Sequence, residues 1–437
     1  MLTSADVAPR DAVFLQRLMT MLTLSTLFAL PTTLATRCMD AADCSLNGAC
    51  VDEKCVCNAA WKGAQCDVLA FTAAPRRAGY NRRGSRSSNN ISSWGGGALF
   101  SEVDRKWHMW VAEMTEHCGL NAWQSNGRIV HAVSDDEHGF GEYSFANVVF
   151  PIFSSNPTVV RGEKGEFIML FEYSQPPPCD FAVCHCANGS TTAACNAQQE
   201  AKHCDYTTAR WPSYLSYAAD ANGPWSTPEL IPVFRDTGGQ GDFNISPIIL
   251  ANGSAILLYR YGGGTPYESH LRLGRAAHWR NVSSYSIDNQ TDLFPGLPTG
   301  GFEDPFAYRD ARGGFHALLH SMVGEATCHR LADPSGVGSC GAHIFSQDGE
   351  DWRMHHPSGT YSGVVDFVAD PESGLPAERL VFTRRERPHA IFAHAEGGCA
   401  PGIFEPCGEP VAVSTGVMYP PADGSFTLIQ PLASAAN

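Results

Sequence analysis

Positive charge is scarce in this chain: 30 Lys and Arg stand against 45 Asp and Glu, a net charge of −15 over 437 residues. A surface of that sign repels phosphate backbones, which argues against a nucleic-acid partner. After residue 36 no run is long and apolar enough to cross a bilayer. No segment sustains a long 3.6-residue hydrophobic period, so an all-β fold is expected instead of a helical one. A nucleotide-binding glycine pattern, a serine nucleophile elbow and HExxH are also missing, and with them the usual signals of three large enzyme classes.

What the chain has in quantity is cysteine, 16 residues in all. Cys38, Cys44, Cys50, Cys55, Cys57 and Cys66 crowd one short segment. Too small to bury a core of its own, it needs disulfides, and these require an oxidising compartment. The ending Cys55-Val56-Cys57, then Trp61-Lys62-Gly63 and Cys66, resembles the EGF-like module. That resemblance implies the pairs Cys38–Cys50, Cys44–Cys55 and Cys57–Cys66; spacing alone leaves 15 pairings open. Ala35-Thr36-Arg37 lacks the acidic cluster of calcium-binding versions, so no calcium is expected in this module.

The other cysteines read as disulfides too. Cys328 and Cys340 bracket one loop, and Cys399 and Cys407 another. Cys179, Cys184, Cys186, Cys195 and Cys204 fill a polar insertion at 174–210, with Cys118 as a candidate sixth partner. His185 and His203 beside them invite a zinc reading, but disulfides are the stronger expectation in an exported chain.

Export is expected on other grounds as well. Arg10 and Arg17 precede an uncharged stretch at 18–36, and Thr33-Leu34-Ala35 offers small residues for cleavage of a signal peptide spanning 1–35. A retained signal anchor is the alternative, opposed by Pro31 and the threonines. Asn90, Asn188, Asn252, Asn281 and Asn289 are glycosylation sequons, and Asn244 is a sixth, weakened by Pro247. The expected protein is secreted and glycosylated, and its only route to a membrane is that retained anchor. The basic Arg82-Arg83-Gly84-Ser85-Arg86 run reads as solvated linker or as a processing site.

The expected organisation is an EGF-like module at 36–67, a linker at 68–91 and a β domain at 92–432. Within the last, a hairpin pattern recurs: 98–101 with 107–112, 158–160 with 167–173, 248–250 with 255–259, 306–308 with 315–319, and more weakly 364–368 with 380–384. A third strand and an Asp/Gly turn bearing an aromatic residue follow most of them, as in 343–346 before Asp348 and Trp352. Such repetition is how propeller blades appear in sequence, and five units predict a five-bladed β-propeller. A β-sandwich or jelly roll is the alternative fold.

Blade-opening strands line a propeller's channel. Asn156-Pro157, Ser246-Pro247 and Asp304-Pro305 each open one, and Trp94-Gly95-Gly96 stands in the same place in the first unit. In this respect the chain resembles the five-bladed propeller glycoside hydrolases of the arabinanase, xylosidase and invertase group. The resemblance implies a base or nucleophile Asp in the first blade, a pKa-tuning Asp before a blade-opening proline, and a general-acid Glu two residues before another. Only Glu303 matches; Asn156 or Ser246 stands where the tuning Asp would be, and Ser92-Ser93-Trp94 offers no first Asp.

Substitute carboxylates are Asp242, Asp304, Glu113, Glu172 and Glu386, although strand alternation is expected to turn Asp304 away from Glu303. Glu386 and Arg387 are candidate contacts to a polar ligand, and an arginine beside Glu303 would oppose an acid role. Trp94 is a candidate sugar platform or a core residue. No cofactor is expected, although a channel-facing His320 leaves a structural calcium open; His316 shares its strand face. The expectation is a carbohydrate-active, glycoside hydrolase-like protein acting on a glycan or glycoprotein. The alternatives are a non-catalytic sugar-binding propeller and an extracellular protein-interaction module.

Overall fold

The computed structural model describes residues 37–80, 91–174, 211–235, 243–323, 340–393 and 409–436, interrupted at 117, 263–267, 289–290, 298–299, 373 and 419–424. Outside the described residues lie the 1–35 segment, the 82–86 run, Asn90, Asn188, Asn289, Asp242, and the insertion with its Cys179, Cys184, Cys186, Cys195 and Cys204 and its His185 and His203. Cys328, Cys399 and Cys407 lie outside them as well.

Five mainly antiparallel blades follow one another along the described residues, blades 3 and 4 being joined into one sheet by a short parallel pairing of Glu268 and Ser269 with Gly300 and Gly301. Blade 1 is Ser92–Ser101, Lys106–Met114, Gly127–Ser134 and Ser144–Phe150. Blade 2 is Ser154–Arg161, Phe167–Tyr173, Ser213–Ala218 and Glu229–Leu230. Ser246–Ile249, Ala255–Gly262, Glu268–Ala276 and Tyr285–Ile287 make blade 3. Gly300–Arg309, Phe315–Ser321 and Gly341–Ser346 make blade 4, edged by a bridge from Phe345 to Arg353. Blade 5 is Arg384–Phe392, Pro410–Met418 and Ser425–Pro431, and its outer strand is Gly79–Tyr80 from the other end of the fold.

The sheets close into a ring because each is apolar on both faces. In the second strand of blade 3, Leu257 and Tyr259 pack toward Ile168 and Leu170 of blade 2, whereas Ile256 and Leu258 pack toward Phe302 and Leu319 of blade 4. Side chains alternate along a strand, so one strand serves two interfaces. Trp110 and Ile129 meet Val159 and Met169 between blades 1 and 2. Phe306 and Leu318 meet Ala390 and Val413 between blades 4 and 5. Met109 and Val111 meet Ile391 and Ile429 between blades 5 and 1, which completes the circle. The strands Phe167–Tyr173 and Phe315–Ser321 are accordingly buried throughout, while the outer strand Ser144–Phe150 is largely exposed.

Two boundaries differ from expectation. The hairpin Val364–Phe367 with Glu378–Val381 forms a separate two-stranded sheet, and the fifth blade starts only at Arg384. Its inner strand opens with four charged residues, which hides it among strands recognised by apolar content. Part of the stretch read as linker is also built in: Val68–Leu69 pairs with Trp61–Lys62, and Gly79–Tyr80 completes blade 5. Two-residue strands are too short to show a period.

The disulfides Cys38–Cys50, Cys44–Cys55 and Cys57–Cys66 adopt the pairing implied by the EGF-like resemblance. Cys118 and Cys340 are also disulfide-bonded. The EGF-like module is fused into the propeller, since Cys38, Cys44, Trp61 and Cys66 share one apolar cluster with Phe306, Tyr308 and Val413.

Candidate active site

The innermost strands do not simply start at the proline signature; they bulge there. Ladder pairing skips two residues between Trp94 and Gly97, Ser155 and Thr158, Glu303 and Phe306, and Glu386 and His389. The first skipped residue has a positive φ each time: Gly95, Asn156, Asp304 and Arg387. In blade 3 the equivalent is Asn244, also at positive φ, two residues upstream of Ser246. Glycine, asparagine and aspartate enter the left-handed region with least penalty, whereas an arginine there costs about 1 kcal/mol. Bulges of this kind re-aim side chains, and here they aim four of them at one axis, with Gly95 at the fifth position.

Side-chain contacts confirm the convergence. Arg387 Nη1 donates to Asn244 Oδ1 at 2.7 Å and to Asp304 Oδ1 at 2.9 Å. Asn156 Nδ2 donates to Asn244 Oδ1 at 2.8 Å and to Glu172 Oε2 at 2.9 Å. Glu172 Oε1 accepts from the Asn244 N–H at 3.1 Å, so this buried carboxylate braces two bulges. Glu113 acts elsewhere. It accepts from Tyr80 Oη at 2.6 Å and from Arg128 Nε at 2.7 Å, tying blade 1 to blade 5's outer strand. Ser246 Oγ accepts from the Ala307 N–H at 2.8 Å and links blades 3 and 4.

Beside the bulge residues lies an acidic group. One ligand atom from each of Glu303, Asp304, His320 and Glu386 falls within 4.8 Å of the others. The expected separation of Asp304 from Glu303 by strand alternation is therefore corrected: the left-handed turn at Asp304 breaks the alternation. Glu386 arrives by the same device. Glu303-Asp304-Pro305-Phe306-Ala307 and Glu386-Arg387-Pro388-His389-Ala390 are one pattern in adjacent blades, a signal concealed when Arg384–His389 is read as the end of a blade.

Charges around these carboxylates are closely matched. His320 Nδ1 lies 2.9 Å from Glu303 Oε1, and its Nε2 lies 3.9 Å from Glu386 Oε1. Arg260 Nε stands 3.5 Å from Glu303 Oε2, and Arg384 Nε 3.9 Å from Glu386 Oε1. Burial pushes the Asp304 carboxyl up to about 7, Glu303 and Glu386 add to that rise, and Arg387 opposes it. Burial would lower the His320 imidazole, but Glu386, Glu303 and Asp304 outweigh it and hold the ring up to about 9. Glu303, with a side chain 18% exposed, is the most open of the three carboxylates.

Trp94 does not stand open in the channel. It is buried beside Met114 and Leu120, and its ring fills the space left by Gly416, where a Cβ would lie 2.5 Å from it. His316 bonds His343 at 3.1 Å and has its other ring nitrogen 3.5 Å from Asp310. Nor does the acidic group suit calcium, which takes six to eight oxygen ligands. One donor here is an imidazole nitrogen, and the Arg387 guanidinium already contacts Asp304.

Asn252 and Asn281 are exposed at turns, with carboxamides bonded to the Ser254 and Ser283 N–H groups at 3.0 and 3.1 Å. Asn244 is buried at the axis and closed to any glycan. If the chain is exported, enzymatic removal of N-glycans should convert Asn252 and Asn281 to aspartate and leave Asn244 unchanged. Peptide mass spectrometry reads each conversion, and a converted Asn244 would contradict the axial geometry.

Several solved structures are similar in chain path. An α-L-arabinofuranosidase of Podospora anserina solved with cellotriose is 11% identical, with a TM-score of 0.49 over 83% of this chain and 98% of that one. A family 117 glycoside hydrolase of the marine bacterium Zobellia galactanivorans is 11% identical, with a TM-score of 0.45 over 84% and 90%. An endo-arabinase from Bacteroides thetaiotaomicron is 12% identical, with a TM-score of 0.45 over 82% and 97%. No curated protein matches the chain. The sequence family that matches is described as a Teneurin-like EGF domain and covers residues 41–69.

Proposed function

We propose that this is an exported protein whose propeller axis binds a glycan and hydrolyses a glycosidic bond. The observation that carries the reading is the meeting of Glu303, Asp304 and Glu386 with His320 within 4.8 Å at the axis. Glycoside hydrolysis needs two carboxyl groups flanking the scissile bond, and a separation of about 5 Å belongs to the retaining geometry. Glu303 and Glu386, one from each of two equivalent bulges, are the pair proposed.

The charges around them assign the roles. Arg260 and His320 beside Glu303 favour its carboxylate form, so the proposed role for Glu303 is nucleophile or base, not general acid. Glu386, whose cationic neighbours Arg384 and His320 stand farther off, each at 3.9 Å, is the proposed general acid for the leaving oxygen. Asp304, ion-paired to Arg387, holds the floor of the site. The proposed partner is a glycan, free or on a glycoprotein, and the cystine-stapled module together with the sequons supports an extracellular location.

A second reading is a propeller that binds sugar without cleaving it. What favours it is that Glu303, Asp304 and Glu386 each already face an arginine, at 3.5, 2.9 and 3.9 Å. Screening turnover of arabinan, xylan, fructan and aryl glycosides separates the two. Glu303→Gln and Glu386→Gln should each lower kcat by about 10²–10⁴-fold. A wild type that binds a glycan array without turnover would establish the second reading, and full activity in both variants would remove the assigned pair.

A further inference from the structure

We propose that the Arg387 guanidinium is the built-in cation of the propeller axis and takes the place that a bound metal ion would occupy. The inference is independent of whether the site cleaves sugars. Four of the five equivalent bulges carry Gly95, Asn156, Asn244 and Asp304, residues suited to a left-handed backbone. The fifth carries an arginine at φ 53°, against that preference. A residue needed only to make the bend would be glycine or asparagine, so the side chain is what this position requires.

That side chain is 4% exposed and contacts the other blades as a coordinated ion would. Its Nη1 bridges two hard oxygen atoms, Oδ1 of Asn244 in blade 3 at 2.7 Å and Oδ1 of Asp304 in blade 4 at 2.9 Å. Asn156 of blade 2 shares the same Asn244 oxygen at 2.8 Å. In blade 1 the glycine at 95 makes the room: a Cβ there would lie 2.9 Å from the Arg387 Cβ and 3.0 Å from its Cδ and Nε. Amide and carboxylate oxygens are what a divalent cation selects. Three neighbouring carboxylates supply the negative charge that such a centre must offset. Guanidinium is always protonated, weakly hydrated and planar, so it fills this position permanently and without dependence on metal supply.

Thermal unfolding of the purified full-length protein tests the idea. Wild type should unfold at the same temperature in EDTA and in calcium. Arg387→Ala should lose several degrees in EDTA and regain part of that loss on adding low-millimolar calcium or guanidinium ion, because a ligand of the native state raises its stability. Arg387→Lys keeps a charge without the fork and should fall between the two, with no response to calcium. If the alanine variant does not fold, Arg387→Met retains the stem and reads the same contrast. A wild type destabilised by EDTA and restored by calcium would overturn the proposal. So would neutral variants that respond to neither cation, since an arginine serving only to pack gives that result.

Discussion

Trp61→Ala is expected to destabilise the whole protein by about 3–5 kcal/mol, and not merely to loosen the EGF-like module. The indole is 4% exposed and lies 4.6 Å from the His343 ring of blade 4. Around it the module is bonded to the propeller at several points. Leu46 O accepts from Arg312, the Ala60 N–H donates to Glu409 at 3.1 Å, and the Leu69 N–H donates to Thr360 O at 3.0 Å. Gln65 Nε2 meets His355 Nδ1 at 2.9 Å.

Because module and blades 4 and 5 share one apolar cluster, calorimetry should show a single transition that moves as a unit. Replacing Cys44 and Cys55 together by alanine should act in the same direction, at about 2–5 kcal/mol for a lost native disulfide. Two transitions, with the propeller's unmoved by Trp61→Ala, would show the module to be an independent appendage. That outcome would also revive the protein-interaction reading in which an EGF-like unit sets spacing. Fusion to the blades argues against it.

The second large effect is acid unfolding. Two blades repeat one buried arrangement: Asp104 to His108 at 3.0 Å and His108 to His131 at 2.8 Å in blade 1, Asp310 to His316 at 3.5 Å and His316 to His343 at 3.1 Å in blade 4. Burial depresses His131 to about 4 and His343 well below its ordinary value, each helped by the neighbouring histidine. Burial, aided by Arg387, depresses His389 to about 3.

The unfolded chain takes up protons at these histidines near pH 6.5, the folded chain only at much lower pH, so unfolding binds protons in between. Stability from these groups is therefore present above about pH 6.5 and lost as pH falls toward 4, at roughly 3 kcal/mol for His131. Even one such loss is a sizeable part of the whole stability of a typical domain, about 5–15 kcal/mol. Urea denaturation at a series of pH values should show stability falling as pH drops from 6 to 4.5, more steeply than the about 1.4 kcal/mol per pH unit of a single titrating histidine. His343→Gln should make that slope shallower. A wild-type slope near zero in this window would mean that the histidines are not held neutral. His320 acts in the opposite sense: its raised value makes its contribution fade as pH climbs from 6.5 to about 9.

How much of this is legible along the chain depends on whether the signal is local. The cystine frame, the repeated hairpins and the inner strands of blades 1, 2 and 4 announce themselves through spacing, turn residues and apolar alternation. Blade 5 does not, because Arg384-Arg385-Glu386-Arg387 resembles a solvated surface, and charge in a strand becomes intelligible only when neighbouring blades supply its partners. Arg385 illustrates this. Fully buried, it lies against Phe71 and Tyr361 and is bonded to Ser362 O and Gln430, partners dispersed along the chain. Glu303 is marked by its proline. Glu386 carries the same proline signal, but the apolar hairpin just before it draws the fifth blade to the wrong place and leaves Glu386 at a strand end.

Sequence alone determined the stapled N-terminal module, the β-propeller repeat and the Glu-x-Pro pattern, because each is written in residues a few positions apart. Tertiary structure alone decided which charged groups meet. Ring closure brings residues as distant as Gly95 and Arg387 into contact, and the left-handed bulges turn Asp304 and its counterparts to an axis that pleat alternation would have denied them. Short-range order follows from backbone sterics and side-chain period; the chemistry of this axis follows from closure, which no local segment contains.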